Sequence, residues 1–269
     1  MATAFADEES YARGLARACA GALIFGFPLL MTMEMWQLGF HMDRTRLALF
    51  MGVVALVVFG LSRFAGFRDD TDAFDDALDT LAALLVGFAV SAALLVLMGL
   101  ITVATGFREA IGMVTVQAAP ASIGAILANR QLRGGQGQPK EDRAGYLGQL
   151  FLMGAGALFF AFNVAPTEEM ILIGFKMTPW HAVALVLVSL LVLHALVFTV
   201  GFAGQKTHES QAQAFLHFTL AGYGLALVVS TYVLWTFGRF DGGVSDAVRA
   251  IVVLAFPAAV GAATARLVV

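Results

Sequence analysis

Residues 21–42 read GALIFGFPLLMTMEMWQLGFHM, and residues 156–177 read GALFFAFNVAPTEEMILIGFKM. A constant offset of 135 pairs Gly21 with Gly156, Leu23 with Leu158, Phe25 with Phe160, Thr32 with Thr167, Glu34 with Glu169, Met35 with Met170 and Gly39 with Gly174. Eleven of the 22 positions agree without a gap, where chance in so apolar a composition gives about two or three. The match includes a carboxylate, which apolar bias does not produce. The chain carries an internal duplication.

Beyond the paired stretches the same pattern continues. Gly66-Phe67 pairs with Gly201-Phe202, and Gly87-Phe88 with Gly222-Tyr223. Near the end of each copy the offset becomes 137, and Pro120-Ala-Ser-Ile-Gly-Ala125 matches Pro257-Ala-Ala-Val-Gly-Ala262. The chain is 59% hydrophobic and 13% charged, with a mean hydropathy of +0.83. That excludes an ordinary soluble domain. Several apolar runs reach the roughly 20 residues needed to cross a hydrocarbon core of about 30 Å. No short alternating segments of a membrane β-barrel are visible. The expected fold is all-α: a polytopic membrane protein of about eight transmembrane helices, arranged as two parallel four-helix repeats.

The expected spans are 16–40, 47–66, 80–104 and 109–130 in the first copy, with Pro28 kinking the first of them. In the second copy they are 147–174, 179–203, 212–237 and 245–267. Residues 1–14 form a short soluble or interfacial start, and their acidic character does not suit a cleaved signal peptide. The domains are then 15–130 and 146–269, joined by the Gly-rich polar linker 131–145. RDDTDAFDDALD, residues 68–79, reads as a solvated acidic loop, with the turns KMTPWH and QKTHESQ in the second copy. An even number of spans per copy makes the repeats parallel, related by an axis along the membrane normal. Ten basic residues fall on one side, against Arg44, Arg46, Arg108, Lys176, Arg239 and Arg249 on the other. The excess places both termini in the cytoplasm.

Glu34 and Glu169 lie near the outer end of the first span of each copy. A carboxylate at that depth costs a few kcal/mol unless it meets water, a partner or an ion. The duplication suggests a pair at one level near the pseudo-symmetry axis. Thr32 and Thr167 lie two residues earlier and offer hydroxyls, while Pro28 and Pro166 remove backbone donors and free carbonyls. Carboxylates, hydroxyls and carbonyls suit a hard cation, Ca²⁺ or Na⁺, or a proton. Glu168 has no counterpart, because Met33 stands in its place, so the second copy carries an extra charge. The competing reading is structural: two protonated glutamates hydrogen-bonded across a helix interface.

Other features point elsewhere. His194 and His217 sit at different depths, with Phe59 and Ala82 as counterparts, and read as core histidines. Met31, Met33, Met35 and Met42 read as core. Pro120 and Pro257 lie beside small residues that allow close helix approach, with a hinge as the alternative. A single cysteine, Cys19, excludes an intrachain disulfide. A net charge of −3 argues against a nucleic-acid partner. The chain holds no phosphate loop, nucleophile elbow or zinc motif, so no enzyme and no cofactor is expected beyond a bound Ca²⁺ or Na⁺.

The stretches FPLLMTMEMWQLGF and NVAPTEEM resemble a family of bacterial multi-pass integral membrane proteins without an assigned activity. The resemblance covers nearly the whole chain and implies the bacterial inner membrane. The functional expectation is a cation channel or secondary transporter with the lipid bilayer and an inorganic cation as partners, self-association being compatible with it. The alternative is a non-transporting scaffold or sensor presenting its acidic loop or linker to a cytoplasmic partner.

Overall fold

The computed structural model describes residues 2–65, 73–131, 146–199, 215–240 and 242–268. The linker 132–145, the pair Gly66-Phe67 with Gly201-Phe202, residues 68–72 of the acidic stretch and the turn QKTHESQ lie outside them. Among the described residues the structure is helical throughout, without strands. The helices are α1 (Ala2–Leu30), α2 (Met33–His41), α3 (Arg44–Ala65), α4 (Ala73–Leu97) and α5 (Phe107–Gln131), then α6 (Tyr146–Val164), α7 (Glu168–Lys176) and α8 (Pro179–Thr199). A π-helical turn at Phe215–Leu220 leads into α9 (Ala221–Thr236), and α10 (Val244–Val268) ends the chain.

Eight of these helices are long and apolar enough to cross a membrane. Helices dominate for a physical reason: lipid offers no hydrogen-bond partner, so each backbone group must be satisfied within its own segment. Two further helices, α2 and α7, are nine residues each, about 13 Å long, and too short to span. The chain divides into two compact units, Met1–Gln138 and Pro139–Val269. Each has five helices in one order, long–short–long–long–long. The short helix α7 begins and ends 135 residues after α2, and α10 begins and ends 137 residues after α5.

Within each unit the last helix is the one the others pack around. In the first unit α5 touches α1, α2, α3 and α4, and in the second α10 touches α6, α7, α8 and α9. Small residues permit this. A Cβ on Gly21 would come within 2.2 Å of the Gly124 carbonyl oxygen, and one on Gly156 within 2.3 Å of the Gly261 carbonyl oxygen. Only glycine allows backbones that close. Gln117, 1% exposed, adds a hydrogen bond from Nε2 to the Gly26 carbonyl at 2.6 Å, tying α5 to α1. Its equivalent in α10 is Leu254, which is buried and apolar.

Two readings of the sequence change here. The expected first spans, 16–40 and 147–174, are each broken into a long and a short helix. α1 itself begins at Ala2, while its apolar, span-length part begins at Ala12. The acidic stretch is not wholly a solvated loop either, since α4 begins at Ala73 and buries Asp76 and Asp79. Asp76 is held there by Arg63, with Nε to Oδ2 at 3.6 Å. Its main-chain carbonyl accepts hydrogen bonds from Ser62 and Thr80 at 3.0 and 2.7 Å. A pairing partner from α3 lets aspartate enter an interface that composition alone assigns to water.

Candidate functional site: two helix breaks

The first break lies at Met31–Thr32. Thr32 leaves the helix with φ −93° and ψ 121°. Its N–H and its hydroxyl both donate to the Leu29 carbonyl, at 3.0 and 2.7 Å. The α1 end is thereby closed by one threonine. The second break uses the same device: Thr167 has φ −71° and ψ 142°, and its hydroxyl donates to the Val164 carbonyl at 2.9 Å. The two threonines thus serve the backbone with their protons, keeping only lone pairs for any other ligand.

The prolines play different parts. Pro28 lies inside α1, two residues before its end, and removes the N–H that would reach the Ile24 carbonyl. Its counterpart is Asn163, whose Nδ2 donates to the Phe159 carbonyl at 2.8 Å. Pro166 sits in the second break itself, where it disfavours helical geometry for Ala165. Pro120 and Pro257 break nothing, since α5 and α10 run through them.

Past each break comes a nine-residue helix with glutamate as its second residue: Glu34 in α2, and Glu169 in α7 preceded by Glu168. A carboxylate in the first turn lies beside the unpaired N–H groups and the positive dipole end of its own helix. Glu34 is half-buried, whereas Glu168 and Glu169 are exposed on the unit that carries them. None of the three has a hydrogen-bond or ion-pair partner among the described residues. Those residues contain no group of three or more acidic, histidine or cysteine side chains arranged to hold a metal. Each break therefore joins a helix C-terminus, with outward carbonyls, to a helix N-terminus carrying a carboxylate.

The surroundings of the breaks differ between the units. α4 ends at Gly99, with φ +72°, and the next residue, Leu100, returns its N–H to the Leu95 carbonyl at 2.9 Å. Leu100 packs on the cluster of Leu30, Leu95 and Met113, beside the end of α1. α9 ends in the same turn at Gly238, with φ +68°, and the next residue, Arg239, returns its N–H to the Leu234 carbonyl at 2.9 Å. Arg239 places Nη2 on the carbonyl of Pro166, within the second break. Arg239 was expected only as a basic residue at the membrane border. The clue available in the sequence is its position one residue after a helix-ending glycine.

The remaining expectations resolve simply. Met35 and Met42 are buried, but Met31 and Met33 are exposed and form no part of the interior. His194 meets the Thr219 hydroxyl through Nδ1 at 3.0 Å and stacks edge-on with Phe215 at 5.3 Å. His217 is exposed rather than part of the core, and its ring lies against Tyr146 at 5.6 Å. Each histidine has a packing role in its own place.

A family model for integral membrane proteins, DUF2391, matches residues 14–269. No curated protein and no solved structure matches the chain.

Proposed function

The chain belongs to the DUF2391 family of integral membrane proteins, and from that premise we propose that it moves cations across the membrane, each unit binding one at its helix break. The observation that carries this reading is the recurrence of one arrangement. Both units interrupt their first spanning helix at one register and place a glutamate two residues into the short helix beyond. Irregular backbone at membrane depth survives where it lines a cavity or a binding site. Discontinuous helices, with carbonyl ends on one side and N-terminal ends on the other, are how secondary transporters build ion sites. A secondary transporter is therefore favoured over an open channel.

In this proposal Glu34 and Glu169 supply the charge that draws a cation. Thr32, Thr167 and the carbonyls at the breaks supply neutral oxygens. Hard cations suit such ligands: Na⁺, Ca²⁺, or a proton on the carboxylates themselves. The basic residues, with their excess on the side of the termini, orient the chain in a bacterial inner membrane with both termini cytoplasmic. Repeats of four spans would then insert in the same sense.

Purified protein in liposomes tests this directly. Radiolabelled Na⁺ and Ca²⁺ are presented with and without a proton gradient. An exchanger moves the label when a counter-gradient is supplied, and a channel moves it down its own gradient alone. Liposomes that stay impermeable to both ions under either condition, and whose proton gradient the protein does not dissipate, would refute the reading.

A further inference from the structure

Two departures from the duplication fall at the same place. Glu168 is an acidic residue that the first copy lacks, having Met33 instead. Arg239 is a basic residue that the first copy lacks, having Leu100 at the same point of the same glycine turn. One adds a negative charge to the second break, and the other adds a positive charge to it. We propose that Arg239 is a tethered cation that offsets Glu168. Both breaks then present a single net negative charge, and each is matched to a monovalent cation. This deepens the cation-transport reading and rests on it.

Several observations support this assignment. The guanidinium reaches the break itself, donating to the Pro166 carbonyl, an oxygen of the very segment that precedes Glu168 and Glu169. Its backbone is fixed by the turn at Gly238, so the side chain is delivered from a rigid corner. Its Nε is buried without a hydrogen-bond partner, so the guanidinium is held by the protein and not spread into solvent. Among the described residues Leu100 fills the matching corner of the first break, packed against Leu30. Two other basic residues, Arg44 and Arg249, are engaged elsewhere. Arg44 donates to the Arg108 carbonyl, and Arg249 turns to Ser245 and Asp246.

Charge count decides ion class at such sites. A single carboxylate among neutral oxygens balances Na⁺ but leaves Ca²⁺ with an uncompensated charge in a medium of low dielectric. Two unopposed carboxylates, Glu168 and Glu169, would favour the divalent ion. Arg239 is in this sense a specificity-determining residue. It acts by charge and need not touch the ion.

The test is a charge-neutralisation cycle on the full-length protein in detergent, reading equilibrium binding of radiolabelled Na⁺ and Ca²⁺ separately. Wild type should bind Na⁺ in preference to Ca²⁺. Arg239→Gln should raise Ca²⁺ affinity at least tenfold relative to Na⁺. Adding Glu168→Gln to it should return the preference to that of wild type, and Arg239→Lys should keep it there. A simple carbonyl-capping role predicts something else: Arg239→Gln and the double variant equally destabilised in thermal melts, with ion preference unmoved. That result overturns the inference and leaves the transport reading standing. Absence of Na⁺ and Ca²⁺ binding in all four proteins overturns both.

Discussion

A glycine with a backbone against it is where one atom decides the packing of a unit. A Cβ on Gly112 would lie 2.0 Å from the Gly39 carbonyl oxygen, and one on Gly21 2.2 Å from that of Gly124. Backbone cannot move aside as a side-chain tip does. Gly21→Ala or Gly112→Ala should therefore lower stability by about 1–3 kcal/mol or more. Gly154→Ala, whose Cβ would meet nothing within 4 Å, should be neutral. Thermal melts in detergent check the contrast. Asp43 gives a second prediction at this scale. Its Oδ1 accepts the N–H groups of Thr45 and Arg46 at 2.9 and 3.2 Å, capping α3. The Arg46 N–H above all holds its carboxyl below the usual aspartate range, against a smaller opposing effect of burial. A lowered folded value means the stabilisation is present above about pH 4 and fades as pH falls through the folded value. The melting gap between wild type and Asp43→Ala should be open at pH 7 and close toward pH 3.

The broken helix is the element on which function is placed here, and its ends are set by few side chains. Thr32 and Thr167 each close a helix through a hydroxyl on the carbonyl three residues back. Thr32→Val should cost about 1 kcal/mol, the net worth of one hydrogen bond, with Thr167→Val costing the same. Asn163 stands where the first copy has Pro28, at a point where the helix is about to end. Asn163→Pro should accordingly fold to within about 1 kcal/mol of wild type. Leu158→Pro, buried in mid-α6, should lose about 3 kcal/mol or more. Helicity by circular dichroism and melting temperature separate the two. The duplicated stretch made the elements themselves legible: long apolar runs locate the spanning helices, and the shared glutamate marks the first turn of each short helix. The breaks were not legible as breaks, because MTMEMW and PTEEMI continue the apolar pattern across a two- or three-residue interruption. Pro28 invites a kink, yet the helix ends where threonine finds a carbonyl. Asp76 and Asp79 escaped for a related reason. Asp76 meets Ser62, Arg63 and Thr80, two of them from a different helix, which charge counting along one segment cannot show. Arg239 was hidden because a basic residue at a membrane border is what any polytopic chain contains.

For the whole molecule the claim is that one architecture, used twice, carries two cation sites. If all eight candidate spans cross, both termini lie on one face, the cytoplasmic one in the proposed orientation. In a Cys19→Ala background, a cysteine replacing Gly137 in the linker should react with impermeant maleimide only from the cytoplasm. One replacing Gly242 before α10 should react only from outside. Labelling in the reverse sense would invert the orientation while leaving the fold intact. The sites answer to a stricter measurement. Glu34→Gln with Glu169→Gln removes both charges while leaving side-chain size and the helix breaks unchanged. Radiolabelled Na⁺ uptake into liposomes, compared with wild type at equal protein content and equal folded fraction, should fall at least tenfold. Uptake equal to wild type would show that the glutamates at the helix breaks are not where the ion binds.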